Sequence, residues 1–119
     1  MDRLNGVRSA SPEKRYRNFI NTAADREQVW VLSSEDGFAT WDEDDMIRLI
    51  VFPTQDAAEL FADGDRPFPI EVHDFLQRCR EIRENDHFGF MVYPNGIDAF
   101  VVSTDRMIQD LTEALCLVE

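Results

Sequence analysis

Ile47-Arg48-Leu49-Ile50-Val51-Phe52-Pro53 and Phe88-Gly89-Phe90-Met91-Val92-Tyr93-Pro94 are two β-rich runs that each end in an aromatic-proline step. Proline lacks an N–H, so each run loses its ladder bond at the same point. Behind the first, Thr54 offers an N-cap and Asp56 complements the positive end of a helix carrying Ala57, Ala58, Leu60 and Phe61. Behind the second, Asn95-Gly96 is expected to form a two-residue type I′ hairpin loop, because both residues accept positive φ. Strands followed once by a helix and once by a hairpin define a mixed sheet in an α+β domain.

Working outward, Ser11-Pro12-Glu13 caps a helix over residues 12–26. Its apolar face is Tyr16, Phe19, Ile20 and Ala23, with Lys14, Arg15, Arg17 and Asn18 turned elsewhere. Val29-Trp30-Val31-Leu32 reads as a strand, and Asp36-Gly37 supplies a hairpin turn into Phe38-Ala39-Thr40-Trp41. That register sets Leu32 against Trp41, with Trp30 on the same side. Asp42-Glu43-Asp44-Asp45 makes the next reversal, and Asp63-Gly64-Asp65-Arg66-Pro67 breaks the second helix. Val72, Phe75, Leu76, Cys79 and Ile82 mark a third helix; Thr104 caps a fourth bearing Met107, Ile108, Leu111, Ala114 and Leu115. Taking Asn95-Gly96 as the loop pairs Tyr93 with Asp98, Met91 with Phe100, and Phe90 with Val101. Met91, Phe100 and Val102 then form a second apolar face opposite Phe88, Phe90, Val92, Ala99 and Val101. The expected fold is a single α+β domain over residues 11–119, preceded by a flexible arm over 1–10. Its order is α-β-β-β-α-α-β-β-α, with one mixed five-stranded sheet and helices packed on it.

Composition excludes several function classes. The chain has 119 residues, 44% of them hydrophobic, and a net charge of -12 from 24 acidic and 12 basic residues. Such acidity disfavours nucleic acid and anionic membranes, whose binding depends on basic patches. It fits either a basic protein partner or solubility through net charge. No apolar run approaches the roughly 20 residues of a spanning helix, and residues 1–8 lack the apolar segment of a secretion signal. The expected location is therefore the cytoplasm. Cys79 and Cys116 both fall on apolar helix faces and are expected as reduced core residues.

Candidate chemistry is sparse. The acidic run Asp42 to Asp45 lacks the alternating ligands, glycine and distal glutamate of an EF-hand, so it reads as a solvated turn rather than a metal site. His73 and His87 have no serine or cysteine in a nucleophile context nearby in sequence, and there is no glycine-rich phosphate loop. No catalytic, cofactor-binding or metal-ligating residue is assigned, and no cofactor is expected. The candidate partner-binding residues are Asp42, Glu43, Asp44 and Asp45, as an acidic surface, with Met91 and Phe100, as an apolar one.

Arg17-Asn18-Phe19-Ile20, Glu27-Gln28-Val29-Trp30-Val31-Leu32, Gly37-Phe38-Ala39, Val51-Phe52-Pro53, Phe75-Leu76, Tyr93-Pro94-Asn95 and Val101-Val102-Ser103 together resemble the bacterial domain of unknown function 2750. The resemblance spans about residues 14–115. It departs from that pattern around 62–69, where a tryptophan is expected and Asp63-Gly64-Asp65-Arg66 stands. The strand-to-helix and strand-Pro-Asn-Gly-strand stretches are also distantly similar to the amino-terminal domain of enhanced serine sensitivity protein B. Neither resemblance implies a catalytic residue. The leading expectation is a non-enzymatic regulatory or immunity-type interaction module for a basic partner. Two alternatives stand beside it: a small-molecule sensor or enzyme with a pocket near His73, His87 and Tyr93, and a homodimer formed through the hairpin's second apolar face.

Overall fold

The computed structural model describes residues 10–95 and 98–118. Residues 1–9 of the expected arm lie outside the described residues, as do Gly96 and Ile97, and with them the type I′ loop expected at Asn95-Gly96. Among the described residues four helices and seven strands follow in the order α-β-β-β-β-α-β-α-β-β-α. Helix α1 (Pro12–Arg26) starts where Ser11 accepts a bond from the Lys14 N–H, and ends at Glu27 in the left-handed region. Strands β1 (Gln28–Ser34), β2 (Gly37–Phe38), β3 (Thr40–Glu43) and β4 (Met46–Val51) follow. Next come α2 (Gln55–Phe61), capped by Thr54 as expected, β5 (Arg66–Glu71) and α3 (Val72–Ile82). Strands β6 (Phe88–Val92) and β7 (Phe100–Ser103) precede α4 (Thr104–Val118). The Ser103 hydroxyl accepts the Arg106 N–H at 3.2 Å. Ser103 therefore does the capping expected of Thr104, whose own buried hydroxyl donates to the Phe88 carbonyl.

The α+β class holds, but the single five-stranded sheet does not. The strands form a three-stranded sheet ordered β2-β1-β5 and a four-stranded sheet ordered β3-β4-β6-β7. The second is mixed, with β6 parallel to β4 and antiparallel to β7. Two local causes explain the difference. Asp63 to Pro67 reads as a helix breaker with no strand behind it, yet β5, which holds Pro67 and Pro69, pairs with β1 along its whole length, from Gln28↔Glu71 to Ser33↔Arg66. Prolines two residues apart direct both missing N–H groups to the same side, and β5 is an edge strand whose outer side needs no donor. The run Gly37–Glu43 is also divided. Its first part pairs with β1 and its last part with β4, and Ala39 joins the two by donating to the Leu32 carbonyl while accepting from Ile50. Trp30 and Phe52 exchange backbone bonds of 3.0 and 2.8 Å, closing the seam between the sheets.

Both hairpin registers differ from expectation. Ser33 faces Phe38 and Ser34 faces Gly37, so the loop is Glu35-Asp36, where the Ser34 hydroxyl accepts from the Asp36 N–H and donates to the Gly37 carbonyl. Trp41 accordingly pairs with Arg48 rather than standing by Leu32, and is half exposed. In the second hairpin Met91 pairs with Val101 and Val92 with Phe100, one residue away from the expected register. Asn95 then bonds Asp98, so Tyr93 and Pro94 together oppose Ala99. That two-against-one count is a bulge, and Tyr93 at φ 48° carries it. A slip of one residue moves side chains to the other face. Phe100 and Val102 join Phe88, Phe90 and Val92 on the helix side, while Met91 and Val101 share the opposite face.

The core lies between the sheets and the helices: Phe19, Ala23, Val29, Val31, Val51, Phe52, Val72, Phe90, Val92, Met107 and Leu111 are all buried. Arg15 is also buried, contrary to its expected outward position. It sits four residues before Phe19 and therefore on the same helical stripe. Its Nε donates to the Tyr93 carbonyl at 2.8 Å, Nη1 to the Ala10 carbonyl at 2.5 Å, and Nη2 to the Asp98 carbonyl at 3.0 Å and the Asp98 carboxylate. One side chain thus ties the start of α1 to both flanks of the β6–β7 connection.

Candidate functional site

Gly37 to Glu43 forms the outer strand of both sheets, and every residue in it except half-buried Ala39 is exposed. At one end lies the Glu35-Asp36 loop. At the other, Asp44 and Asp45 adopt φ of 52° and 64°. Two successive residues at positive φ between the paired Glu43 and Met46 make a tight reversal of the primed type. Aspartate tolerates this region because its short polar side chain bonds locally. Asp42 accepts from the Thr40 hydroxyl at 3.0 Å, and Glu43 from the Trp41 indole N–H at 2.9 Å. The expected acidic turn is therefore present and solvent-exposed, with its carboxylates on both faces of the strand.

Apolar side chains gather on the same strand. Phe38 is 41% exposed and Trp41 48%. Ile47, opposite Asp42, and Phe68, whose ring lies 5.7 Å from that of Phe38, are similarly exposed. Among the described residues, three exposed large hydrophobics, Phe38, Trp41 and Ile47, thus lie on or beside one edge, with Phe68 of β5 in ring contact with Phe38. The sequence places Trp41 against Leu32 on the side of Trp30, whereas the structure sets it on the open edge with Phe38 and Ile47. The signal that could have found them was the alternation of Phe38, Thr40 and Asp42 with Ala39, Trp41 and Glu43, which has no fully apolar side.

The remaining candidates are dispersed. Met91 and Phe100 do not form one apolar face. Met91 is half-buried in the middle of the four-stranded sheet, whereas Phe100 stacks on Tyr16 at 4.6 Å with the Arg106 guanidinium 5.1 Å from its ring. His73 is exposed in the first turn of α3, where Glu71 accepts its backbone N–H at 2.7 Å and lies 2.8 Å from its Nδ1. Partial desolvation of Glu71 is outweighed by these bonds, which hold its carboxyl below the ordinary value. His87 is exposed beyond the far end of α3, a helix length of roughly 15 Å away. Tyr93 is buried at the other end of β6 from His87. His87 thus stands apart from both His73 and Tyr93, at the opposite ends of α3 and of β6.

A groove of about 310 Å³ does run between α1 and α4, lined in part by Tyr16, Arg17, Arg106, Asp110 and Glu113. Three of its polar side chains are engaged with one another. The Tyr16 hydroxyl donates to Asp110 at 2.5 Å, and Arg106 Nε donates to the same carboxylate at 3.3 Å. Burial, then the Asp110 bond, pushes the Tyr16 hydroxyl above its ordinary range, so it stays protonated and serves as a donor. The arrangement fastens two helices together; sequence reading missed it because the partners lie 94 residues apart. Among the described residues no three His, Cys, Asp or Glu side chains converge as metal ligands, and no helix is long and apolar enough to cross a membrane.

The two cysteines part company. Cys79 is buried, and burial pushes its thiol up to about 12, whereas Cys116, expected in the core, is exposed. Brief treatment with a thiol-alkylating reagent at pH 8 should therefore modify one cysteine in the native protein and two in denaturant. Peptide mass mapping should place the native adduct on Cys116, since thiolate and access together govern the reaction. Equal native labelling of Cys79 would contradict the packing of α3.

A family model described as Protein of unknown function (DUF2750) matches residues 16–111. The chain belongs to that family. The match runs from Tyr16 in α1 to Leu111 in α4 and so takes in both sheets and the exposed edge of the DUF2750 domain. No curated protein and no solved structure matches the chain.

Proposed function

We infer that this DUF2750 protein is a non-enzymatic interaction module of the regulatory or immunity type, acting in the cytoplasm, and that its binding surface is the edge formed by Gly37–Glu43 and its flanks. One observation carries the reading. Residues 35–45 hold six acidic side chains and no basic one, and they share a surface with exposed Phe38, Trp41 and Ile47. Apolar side chains supply contact area and the carboxylates supply attraction, so the partner is a basic protein. The separation of His87 from His73 and Tyr93 counts against the alternative of a sensor or enzyme using all three residues.

Electrostatic recognition has a kinetic signature. The screening length falls from about 10 Å at 0.1 M salt to about 3 Å at 1 M. A partner retained by the immobilised chain should associate at least roughly tenfold more slowly across that range, within the reach of charge steering. The triple substitution Asp42→Asn, Asp44→Asn and Asp45→Asn should lower the on-rate more than it raises the off-rate. A partner whose on-rate ignores both salt and the triple substitution would overturn the reading.

A further inference from the structure

We propose that the outer edge of Gly37–Glu43 accepts an extended segment of the basic partner as an added β-strand, with apolar residues at the centre of that segment and lysine or arginine at both ends. The proposal rests on the interaction reading above and names how that surface binds.

Ladder geometry decides which backbone groups are free. Ala39 directs its N–H to Leu32 and its carbonyl to Ile50, so both groups of that residue point into the sheets. In an antiparallel ladder this orientation alternates along the strand. Trp41 and Glu43 therefore also point inward to β4, while Phe38, Thr40 and Asp42 direct their N–H and carbonyl groups outward. Three consecutive outward pairs are the template that strand addition uses: main-chain bonds provide affinity and alternating side chains provide selectivity.

The side chains define the occupant. On one face an added strand meets Phe38, Thr40 and Asp42, with Phe68 and Ile47 behind them; on the other it meets Trp41 and Glu43. Carboxylates stand at both ends, Glu35 and Asp36 before the strand and Asp42 to Asp45 at its finish. A second copy of this chain fits poorly. Antiparallel self-pairing centred on Thr40 sets Asp44 against Asp36 and Asp45 against Glu35 of the other copy, and parallel pairing sets each acid against itself. Like charges opposed across a ladder destabilise it, and each copy carries a net charge of -12. A basic-apolar-basic segment meets attraction at both ends instead. The other long edge, β5, is closed to such addition by the outward positions of Pro67 and Pro69.

The test uses the full chain and a capped eight-residue peptide with two arginines at each end and four β-branched residues between them. Two N-methylated versions carry methyl groups on one or the other alternate set of internal amides. Binding is read by calorimetry at low salt, and amide hydrogen exchange by NMR. The expected result is saturable binding that slows exchange at Phe38, Thr40 and Asp42. One N-methylated version should bind at least about tenfold more weakly and the other within about threefold of the parent, because an added strand bonds through only one of its edges. Thr40→Pro, whose lost N–H points outward, should keep the thermal midpoint of the wild type and abolish binding. If Thr40→Pro fails to fold, the two methylated peptides still decide the matter.

Peptide binding that is lost with the three aspartates but is indifferent to both methylation patterns would overturn strand addition and leave the interaction surface standing. No saturable binding, or binding untouched by the aspartate substitutions, would overturn both. A wild-type dimer in sedimentation that Thr40→Pro dissociates would assign the edge to a second copy and overturn the basic partner.

Discussion

Replacing Arg15 with methionine should lower the unfolding free energy by about 3–5 kcal/mol, the range for removing one member of a buried charged network. The guanidinium is fully buried and bonds the carbonyls of Ala10, Tyr93 and Asp98 as well as the Asp98 carboxylate. Methionine fills similar volume but leaves those acceptors without their donor, and each unsatisfied buried group costs about 1–3 kcal/mol. Asp98→Asn separates the charge from the scaffold. The backbone acceptors and an amide oxygen survive the change, but the buried guanidinium loses its paired carboxylate, so its cost should be smaller than that of Arg15→Met, about 1–3 kcal/mol. Urea midpoints with unchanged m-values would measure both, since an altered m would signal a change in the ensemble rather than in stability alone. A loss below about 1 kcal/mol in Arg15→Met would mean that the β6–β7 connection holds its shape without the clamp.

Phe52→Ala should cost a similar amount, about 3–5 kcal/mol, because truncating a buried phenylalanine loses its transfer free energy and leaves a cavity. Phe52 is fully buried, its ring centroid lies 5.6 Å from that of Phe61 and 6.3 Å from that of Tyr93, and its backbone closes the seam with Trp30. The cavity would open where α2, β1 and the end of β4 meet, and the bridge has no further ladder to support it. The same substitution at Phe68, 47% exposed on β5 with its ring beside that of Phe38, should stay within about 0.5 kcal/mol, the usual span for surface changes. Paired urea denaturation curves therefore separate a structural aromatic from one left for binding. Comparable losses at both positions would place Phe68 in the core and weaken the case for the exposed edge.

Elements governed by local chemistry were legible in the chain. Ser11-Pro12-Glu13 and Thr54 start helices because capping depends on side chains within three residues of the bond they make. The acidic run at Asp42 to Asp45 makes a reversal for a comparably local reason, its strands being adjacent in sequence. Family membership followed from the same short motifs. The acidic half of the candidate site was visible too, since charge excess is a matter of composition.

The rest depended on partners far away along the chain. Pro67 and Pro69 exclude a central strand but permit an edge, and only the pairing of β5 with β1 reveals which applies. Arg15 looks solvated until Tyr93 and Asp98, 78 and 83 residues away, supply its acceptors. The register of the last hairpin turned on one extra residue at Tyr93, and that slip separated Met91 from Phe100. Trp41 is apolar enough for a core, and nothing within its own strand says that the strand is an edge. Sequence determined where helices begin, where the chain turns and how much charge it carries, because those properties are set within a few residues. Tertiary structure alone decided which strand edge stays open and which apolar side chains remain outside, because a sheet edge is defined by the absence of a neighbour.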